Sequence, residues 1–249
     1  MKIALVGYGR MGHLVHKVAE EQAHEVVSII DPNFSEAPHK EISKDSLKDA
    51  EVVIDFTTPD SVLDNVGKVS SAKINMVVGT TGWYDQIDKV KEIVKKSGIG
   101  FIFSPNFSLG VNIFFKIIRN AAKTFNKLED YDVYGIEYHH SRKKDSPSGT
   151  AKKLGEIILE EISRKKELQT EKLDRQIKKE ELHFASVRSG EFPGTHEIGF
   201  DSEADTIKLI HTARSRKGFA FGAIKAAEFI KDKKGFYTIE DMLKEVVDV

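Results

Sequence analysis

At 249 residues with 40% apolar side chains, the chain is long enough for one large domain or two modest ones with real cores. Its 38 basic and 39 acidic side chains nearly cancel, which offers no overall electrostatic pull toward nucleic acid or an anionic membrane. The lack of cysteine excludes disulfides, thiolate nucleophiles and cysteine-ligated metals; with no apolar run of membrane-spanning length and no signal-peptide layout, the expected compartment is the cytoplasm.

The first elements read as strand, glycine turn and helix. Lys2 to Val6 is an apolar run, Gly7-Tyr8-Gly9-Arg10-Met11-Gly12 follows, and Leu14, Val15, Val18 and Ala19 fall on one helical face. In that context the glycines give a tight turn, room for a pyrophosphate against the backbone, and close packing of helix on strand. A second strand, Glu25 to Ile30, ends in Asp31, nineteen residues after Gly12, where an acid would meet the ribose hydroxyls of a dinucleotide. Pro32 comes next, so no arginine is offered there to a 2′-phosphate. The pattern predicts NADH in preference to NADPH, with Arg10 and Lys40 as cations able to reach in from elsewhere. The plainer alternative is a structural turn with a strand-end aspartate.

Pro32 to Ala50 is a polar connection with room for a short helix around Ser46 to Asp49. Val52 to Phe56 is a strand leading into Thr57-Thr58-Pro59-Asp60, with Asp60 placed to cap a helix through about Ala72. Met76 to Val78 is a strand ending in Gly79-Thr80-Thr81-Gly82, and Tyr84 to Lys96 is a charged amphipathic helix. Gly98 to Phe103 is a fifth strand, closing on Ser104-Pro105-Asn106-Phe107-Ser108. Strands alternating with helices predict an α/β domain, a Rossmann-type doubly wound parallel sheet with its ligand crevice beyond the carboxyl ends of the strands. Gly79, Thr80 and Thr81, and Ser104, Pro105, Asn106 and Phe107, are candidates for the nicotinamide side, with ordinary turns as the alternative. Asp55 reads as an aspartate capping its own loop.

Leu109 to Phe125 is a long helix, Asp130 to Tyr138 alternates as a strand, and Ala151 to Ile162 returns to helical spacing. The loop between them completes the run Glu-Tyr-His-His-Ser-Arg-Lys-Lys-Asp-Ser-Pro-Ser-Gly-Thr over residues 137–150, the densest set of proton-carrying side chains in the chain. Its helix starts near Pro147, Ser148, Gly149 and Thr150, where a hydroxyl can cap and the glycine lets an anion approach free amides. His139, His140, Arg142, Lys143 and Lys144 would surround a carboxylate seated there, and histidine and lysine can also pass protons near neutral pH. Strand alternation places His139 and His140 on opposite faces unless the strand has already ended. The bland alternative is a solvated basic loop with Asp145 paired to a lysine.

From Arg142 to Lys179 basic and acidic residues interleave, as on a solvated surface. His183 to Ser189, His196 to Asp201 and Thr206 to Ala213 are β-like runs separated by turn signals, predicting a meander in a mixed sheet. With the Asp130 to Tyr138 strand they would form a second, α+β domain with an open sheet. His183, His196 and His211 read as packed or surface residues, and no metal-ligand spacing appears, so no metal is expected. Phe219 to Ile230 and Ile239 to Val246 are helices expected to return to the first domain, the latter opened by Thr238 and Glu240. The domains are therefore expected at 1–108 with 217–249, binding the dinucleotide, and at 109–216, binding substrate and forming oligomer contacts. Arg214 and Arg216, before the return, are candidates for anion contact or simple surface charge.

Glu137-Tyr138-His139-His140, followed by Lys143, Asp145 and Pro147-Ser148-Gly149-Thr150-Ala151, resembles the signature of the dihydrodipicolinate reductase family of diaminopimelate and lysine biosynthesis. Gly7 to Gly12, Asp55-Phe56-Thr57, Gly79-Thr80-Thr81-Gly82, Asn106-Phe107-Ser108 and Gly110-Val111-Asn112 are similar to that family's motifs in order and spacing. The resemblance implies hydride delivery from NADH or NADPH to C4 of the cyclic unsaturated dicarboxylate formed from 4-hydroxy-tetrahydrodipicolinate by loss of water, giving tetrahydrodipicolinate. It implies His139 and Lys143 as proton donors and His140, Gly149 and Thr150 as substrate contacts. It also implies Gly79 to Thr81 and Ser104 to Phe107 as cofactor contacts, and a homotetramer built through the second domain's sheet. The chain departs from the family in lacking a further residue in the first glycine loop and an arginine after Asp31, which bears on coenzyme choice.

Two other functions fit parts of the pattern. An NAD-dependent amino- or imino-acid dehydrogenase, acting for example on aspartate, shares the dinucleotide domain but leaves His139 to Thr150 unexplained. A catalytically silent nicotinamide-binding sensor would need an output surface, and no basic recognition helix or appended domain is present.

Overall fold

Short β-branched runs become strands, those at the centre of the first sheet buried on both faces, and the amphipathic stretches between them become covering helices. In the computed structural model, which describes residues 1–246, these are β1 (Lys2–Val6), α1 (Arg10–Glu21), β2 (Glu25–Ile30), β3 (Val52–Asp55), α2 (Val62–Ser71), β4 (Asn75–Val78), α3 (Ile87–Ser97) and β5 (Gly100–Phe103). The remainder comprises α4 (Leu109–Phe125), β6 (Asp132–His139), α5 (Gly149–Glu161), β7 (Glu167–Gln169), β8 (Glu181–Arg188), β9 (Thr195–Asp201), β10 (Thr206–Thr212), α6 (Lys217–Ile230), β11 (Gly235–Thr238) and α7 (Ile239–Val246). The chain divides into two units, one holding Met1–Leu109 and the chain from Lys217, the other holding Gly110–Arg216.

The first unit is a six-stranded parallel sheet in the order β11-β5-β4-β3-β1-β2. Strand order reverses between β1 and β3, the switch point at which a doubly wound sheet opens its crevice. Every residue of β3 is buried, as a central parallel strand requires. The expected five-strand sheet gains β11 at its edge, a four-residue strand with no fully buried residue and so without the apolar run that marks β3, β4 and β5. Asp60 does not cap the following helix; it lies inside a 3₁₀ turn, Pro59–Ser61, that Thr58 and Ser61 cap reciprocally. Ser46 to Asp49 forms turns rather than a helix. Thr238 opens α7 as expected, but its partner is Asp241 rather than Glu240: the hydroxyl and amide of Thr238 both donate to Asp241 Oδ2, at 2.8 and 2.9 Å.

The second unit is a mixed five-stranded sheet in the order β10-β9-β6-β8-β7. The expected meander is corrected here. Only β9 and β10 form a hairpin, while β6 lies between β8 and β9, parallel to the first and antiparallel to the second. β7 emerges from the stretch expected to be solvated surface, pairing Leu168 with Leu182. Registers put Val133, Leu182, Phe184, Ile198 and Phe200 on one face, where they pack with Phe114, Ile118, Leu154, Ile157 and Ile158 from α4 and α5. Burying each of these large side chains contributes about 1.5–3 kcal/mol. On the other face lie Tyr134, Ile136, Tyr138, Ala185, Val187 and Ile210, the last 55% exposed.

Candidate active site

Along β6 the buried face changes chemistry at one level. Val133 and Gly135 lie in the apolar layer, and the next two inward residues are Glu137 and His139, both buried. The same change occurs on the neighbours, where Ser186 and Arg188 follow Phe184 on β8 and His196 precedes Ile198 on β9. The polar end of the sheet and the start of α5 are therefore brought together by strand register.

Glu137 is the centre of this cluster. Its Oε1 accepts from Arg188 Nη2 at 2.7 Å, Ser186 Oγ at 2.8 Å and the Ser148 amide at 3.0 Å. Its Oε2 lies 3.4 Å from His139 Nδ1 and 3.4 Å from His196 Nε2, without a hydrogen bond to either. Burial disfavours the carboxylate, but the neighbouring His196 imidazole and hydrogen bonds from Ser148, Arg188 and Ser186 outweigh it and hold Glu137 well below the usual carboxylate range. Burial pushes His139 down to about 4; His196, Lys143 and Arg188 add to this, against the opposing pull of Glu137.

Ser148 is the N-cap of α5, its Oγ accepting from the Ala151 amide at 3.1 Å and lying 3.2 Å from His196 Nε2. The first helical amides, Gly149 and Thr150, have no acceptor within the helix, and nothing lies within 4 Å of a Cβ position at Gly149. No acidic residue occupies the first turn, so this end favours an anion. His140 follows the strand end, its amide bonded to the Phe192 carbonyl.

The basic loop divides. Lys143 Nζ donates to both oxygens of Asp145, at 2.7 and 2.8 Å, so the lysine–aspartate pair of the bland reading exists beside the histidine cluster. Arg142 forms a two-pronged pair with Glu191, and Lys144 is exposed; neither is brought into the Glu137 cluster. Arg214 and Arg216 are likewise exposed.

His196, expected to be a packed or surface residue, is packed and shares Glu137 with His139. The signal was its phase: it alternates with Ile198 and Phe200 and so had to face inward. Arg188 and Ser186 carry the same signal through Leu182 and Phe184. Although no metal-ligand spacing exists in the sequence, Glu137, His139 and His196 bring ligand-type atoms within 4.8 Å of one another. Arg188 already supplies the positive charge against Glu137, which leaves little electrostatic need for a metal ion.

In the first unit, the loops after β1, β3, β4 and β5 lie at one edge of the parallel sheet. A Cβ on Gly12 would come within 2.3 Å of the Gly7 carbonyl oxygen, so the turn and helix pack only with glycine there. Gly9, the N-cap of α1, has open space at its Cβ position and no side-chain cap, and the helix has no acid in its first turn. That cradle fits a pyrophosphate. Asp31 accepts from the Tyr8 amide at 2.6 Å and from the Asn33 and Phe34 amides. Burial opposes its charge, but these amides and Lys40 hold its carboxyl below the ordinary value. Arg10 and Met11 begin α1, Arg10 exposed and Met11 half-buried.

The other cofactor candidates differ in what they can offer. Thr80 is buried, and its hydroxyl donates to Asp55 and accepts from the Thr57 amide, so its side chain is committed to the loop framework. Asp55 therefore caps more than its own loop: it also accepts from Asn65 of α2, at 2.8 Å. Ser104 is buried and bonded to both backbone groups of Asn106, and Phe107 is buried against α6 at Gly222. Gly79, Thr81 and Pro105 present surface at the same edge.

A doubly wound sheet with a glycine cradle at its switch point, on one chain with a buried carboxylate–imidazole cluster, defines a dinucleotide-dependent oxidoreductase. A family model described as dihydrodipicolinate reductase, N-terminus, matches residues 1–107, and one described as dihydrodipicolinate reductase, C-terminus, matches residues 110–243. The chain belongs to the dihydrodipicolinate reductase family. A 4-hydroxy-tetrahydrodipicolinate reductase of Christiangramia forsetii is 41% identical over 248 residues, covering 99% of each chain. One of Archaeoglobus fulgidus is 38% identical, covering 98% of this chain and 100% of its own. The fold is shared with a dipicolinate-bound dihydrodipicolinate reductase from Paenisporosarcina sp. TG-14, at TM-score 0.78 and 24% identity over 96% of this chain and 97% of that one. No helix among the described residues is long and apolar enough to cross a membrane.

Proposed function

We propose that this protein reduces 4-hydroxy-tetrahydrodipicolinate, through loss of water to dihydrodipicolinate, to tetrahydrodipicolinate, with NADH preferred over NADPH. The observation that carries this reading is the placement of a buried imidazole, His139, and an anion-favouring helix start, Ser148 to Thr150, on either side of one carboxylate, Glu137.

A nicotinamide dinucleotide held at the Gly7 to Gly12 cradle would supply the hydride, and the chain's own residues would bind the substrate and move the proton. The amides of Gly149 and Thr150 receive a substrate carboxylate, with His140 and Lys143 beside it. His139 delivers from Nε2 the one proton that balances the hydride. Lys143 exchanges its Asp145 partner for that carboxylate and serves as the proton source that restores the proton His139 gives up. In the empty protein the depressed pKa of His139 leaves it neutral at pH 7. Arriving carboxylates would offset the charges of Lys143 and Arg188 and so act against the burial that keeps the ring neutral.

The coenzyme preference rests on Asp31, whose charge at the end of β2 would repel a 2′-phosphate. Four copies assembled through the second unit's open sheet face would cover Ile136, Val187 and Ile210. A cytoplasmic setting suits a cysteine-free chain. Purified protein given freshly generated 4-hydroxy-tetrahydrodipicolinate should oxidise NADH, and NADPH more slowly. No loss of cofactor absorbance with either would reject the function, and faster turnover with NADPH would reject the preference.

A further inference from the structure

We infer that Glu137 is a positioning residue that fixes the tautomer of His139, keeping its proton on Nδ1 and leaving Nε2 as the one site that gains and loses a proton. The inference deepens the reductase reading and rests on it for the proton's destination.

The argument begins with the division of labour between the two carboxylate oxygens. Oε1 is saturated by Arg188, Ser186 and the Ser148 amide, three donors from β8 and the α5 start. These bonds fix the plane of the carboxylate. Oε2 is buried and receives no hydrogen bond, although a buried carboxylate oxygen without a donor is costly. Two imidazole nitrogens lie 3.4 Å from it, and one of these, His139 Nδ1, is itself buried without any partner. A closure of a few tenths of an ångström would satisfy both atoms, and hydrogen bonds of this kind are often long before substrate binds.

His196 does not compete on equal terms. Its Nε2 already has Ser148 Oγ at 3.2 Å, a hydroxyl free to turn its hydrogen toward the ring. His139 Nδ1 has no alternative to Glu137. At the opposite edge of the His139 ring, a Cβ at Gly194 would lie 3.0 Å from Nε2, so the missing side chain keeps that nitrogen approachable. One nitrogen thus faces a fixed acceptor and the other faces space.

The charged and titratable groups around the ring fit this assignment. Glu137 lies on its own strand, Arg188 on β8, His196 on β9, and Lys143 with Asp145 on the following loop. Glu137 is the acceptor among them that reaches Nδ1. A carboxylate that orients an imidazole without taking its proton holds the ring in the productive tautomer.

Nitrogen-15 NMR of histidine-labelled protein without substrate tests this directly, with His139 assigned from its loss in His139→Gln. At pH 7 the wild-type ring should carry its proton on Nδ1, and in Glu137→Gln the proton should move largely to Nε2. A wild-type ring protonated on Nε2 overturns the inference, and this reading needs no variant to fold. An unchanged tautomer in a folded Glu137→Gln, judged by circular dichroism, also overturns it. In turnover assays Glu137→Gln should lower kcat about a hundredfold with KM changed less than about threefold; a raised KM at normal kcat would reduce Glu137 to a support of the Ser148 helix start and overturn the inference. If the protein does not turn over the proposed substrate, the tautomer measurement still decides the question.

Discussion

A side-chain carbon at Gly194 would stand 3.0 Å from His139 Nε2 and 3.4 Å from Cδ2, closer than ordinary contact, and the residue has φ +145°, which side chains rarely adopt. Gly194→Ala should therefore crowd the ring edge assigned to the substrate and strain the turn before β9. We expect it to lower turnover at least tenfold, and His139→Ala to lower it about a hundredfold or more, the usual contribution of a positioned acid. Steady-state kinetics on both variants provide the check. Normal turnover in Gly194→Ala would place the substrate elsewhere on the ring, and normal turnover in His139→Ala would remove the residue from the chemistry. The grouping of His139, Lys143 and Ser148 was legible in sequence because they stand in one short run. His196 and Arg188 were not, because they reach Glu137 only through pairings made far along the chain.

At the scale of elements, local patterns specified helices and strands well and neighbours poorly. Alternation in residues 183–213 announced three strands, but no local feature could say that β6 would enter between β8 and β9, since a parallel partner needs a long crossover and leaves no turn signature. Lys165 shows a similar effect. It is buried amid a run that looked solvated, because its ammonium meets Asp132 on β6 and the carbonyls of Lys179 and Glu181. In the first unit Asp55 performs the corresponding joining role. Its carboxylate collects the Thr57 amide and hydroxyl, the Thr80 hydroxyl and the Asn65 amide, tying the ends of β3 and β4 to α2. Asp55→Ala leaves those buried donors unmatched, at about 1–3 kcal/mol for each group not rescued by water. Urea unfolding should show a loss of at least about 2 kcal/mol, along with weaker cofactor binding as the Gly79 to Thr81 loop loosens. A midpoint within error of wild type would mean that Asp55 only caps its own turn.

For the molecule as a whole, the groups of the Glu137 cluster also bear on how it responds to acid. Glu137 has a folded pKa below its ordinary value, so its contribution is present at neutral pH and is lost as pH falls through the carboxylate range. His139 is depressed from 6.5 to about 4, so between those values the unfolded chain binds a proton that the folded one does not, and stability again falls with pH. Asp55 acts in the opposite sense. Its pKa is raised, by burial against its hydrogen bonds, so protonation at low pH relieves a buried charge. Between pH 7 and pH 4.5 it is His139 whose proton uptake differs between the folded and unfolded chain, the loss at Glu137 setting in only below 4.5, and with Asp55 opposing it a net loss of stability is expected over that range. For a chain of this size each 1 kcal/mol corresponds to about 2–4 °C in Tm. Thermal unfolding at constant ionic strength should show Tm falling by several degrees over that range in the wild type, and falling less steeply in a Glu137→Gln, His139→Gln double variant whatever its starting Tm. Equal slopes in the two proteins would show that acid sensitivity arises in other carboxylates and that the cluster is electrostatically neutral to folding.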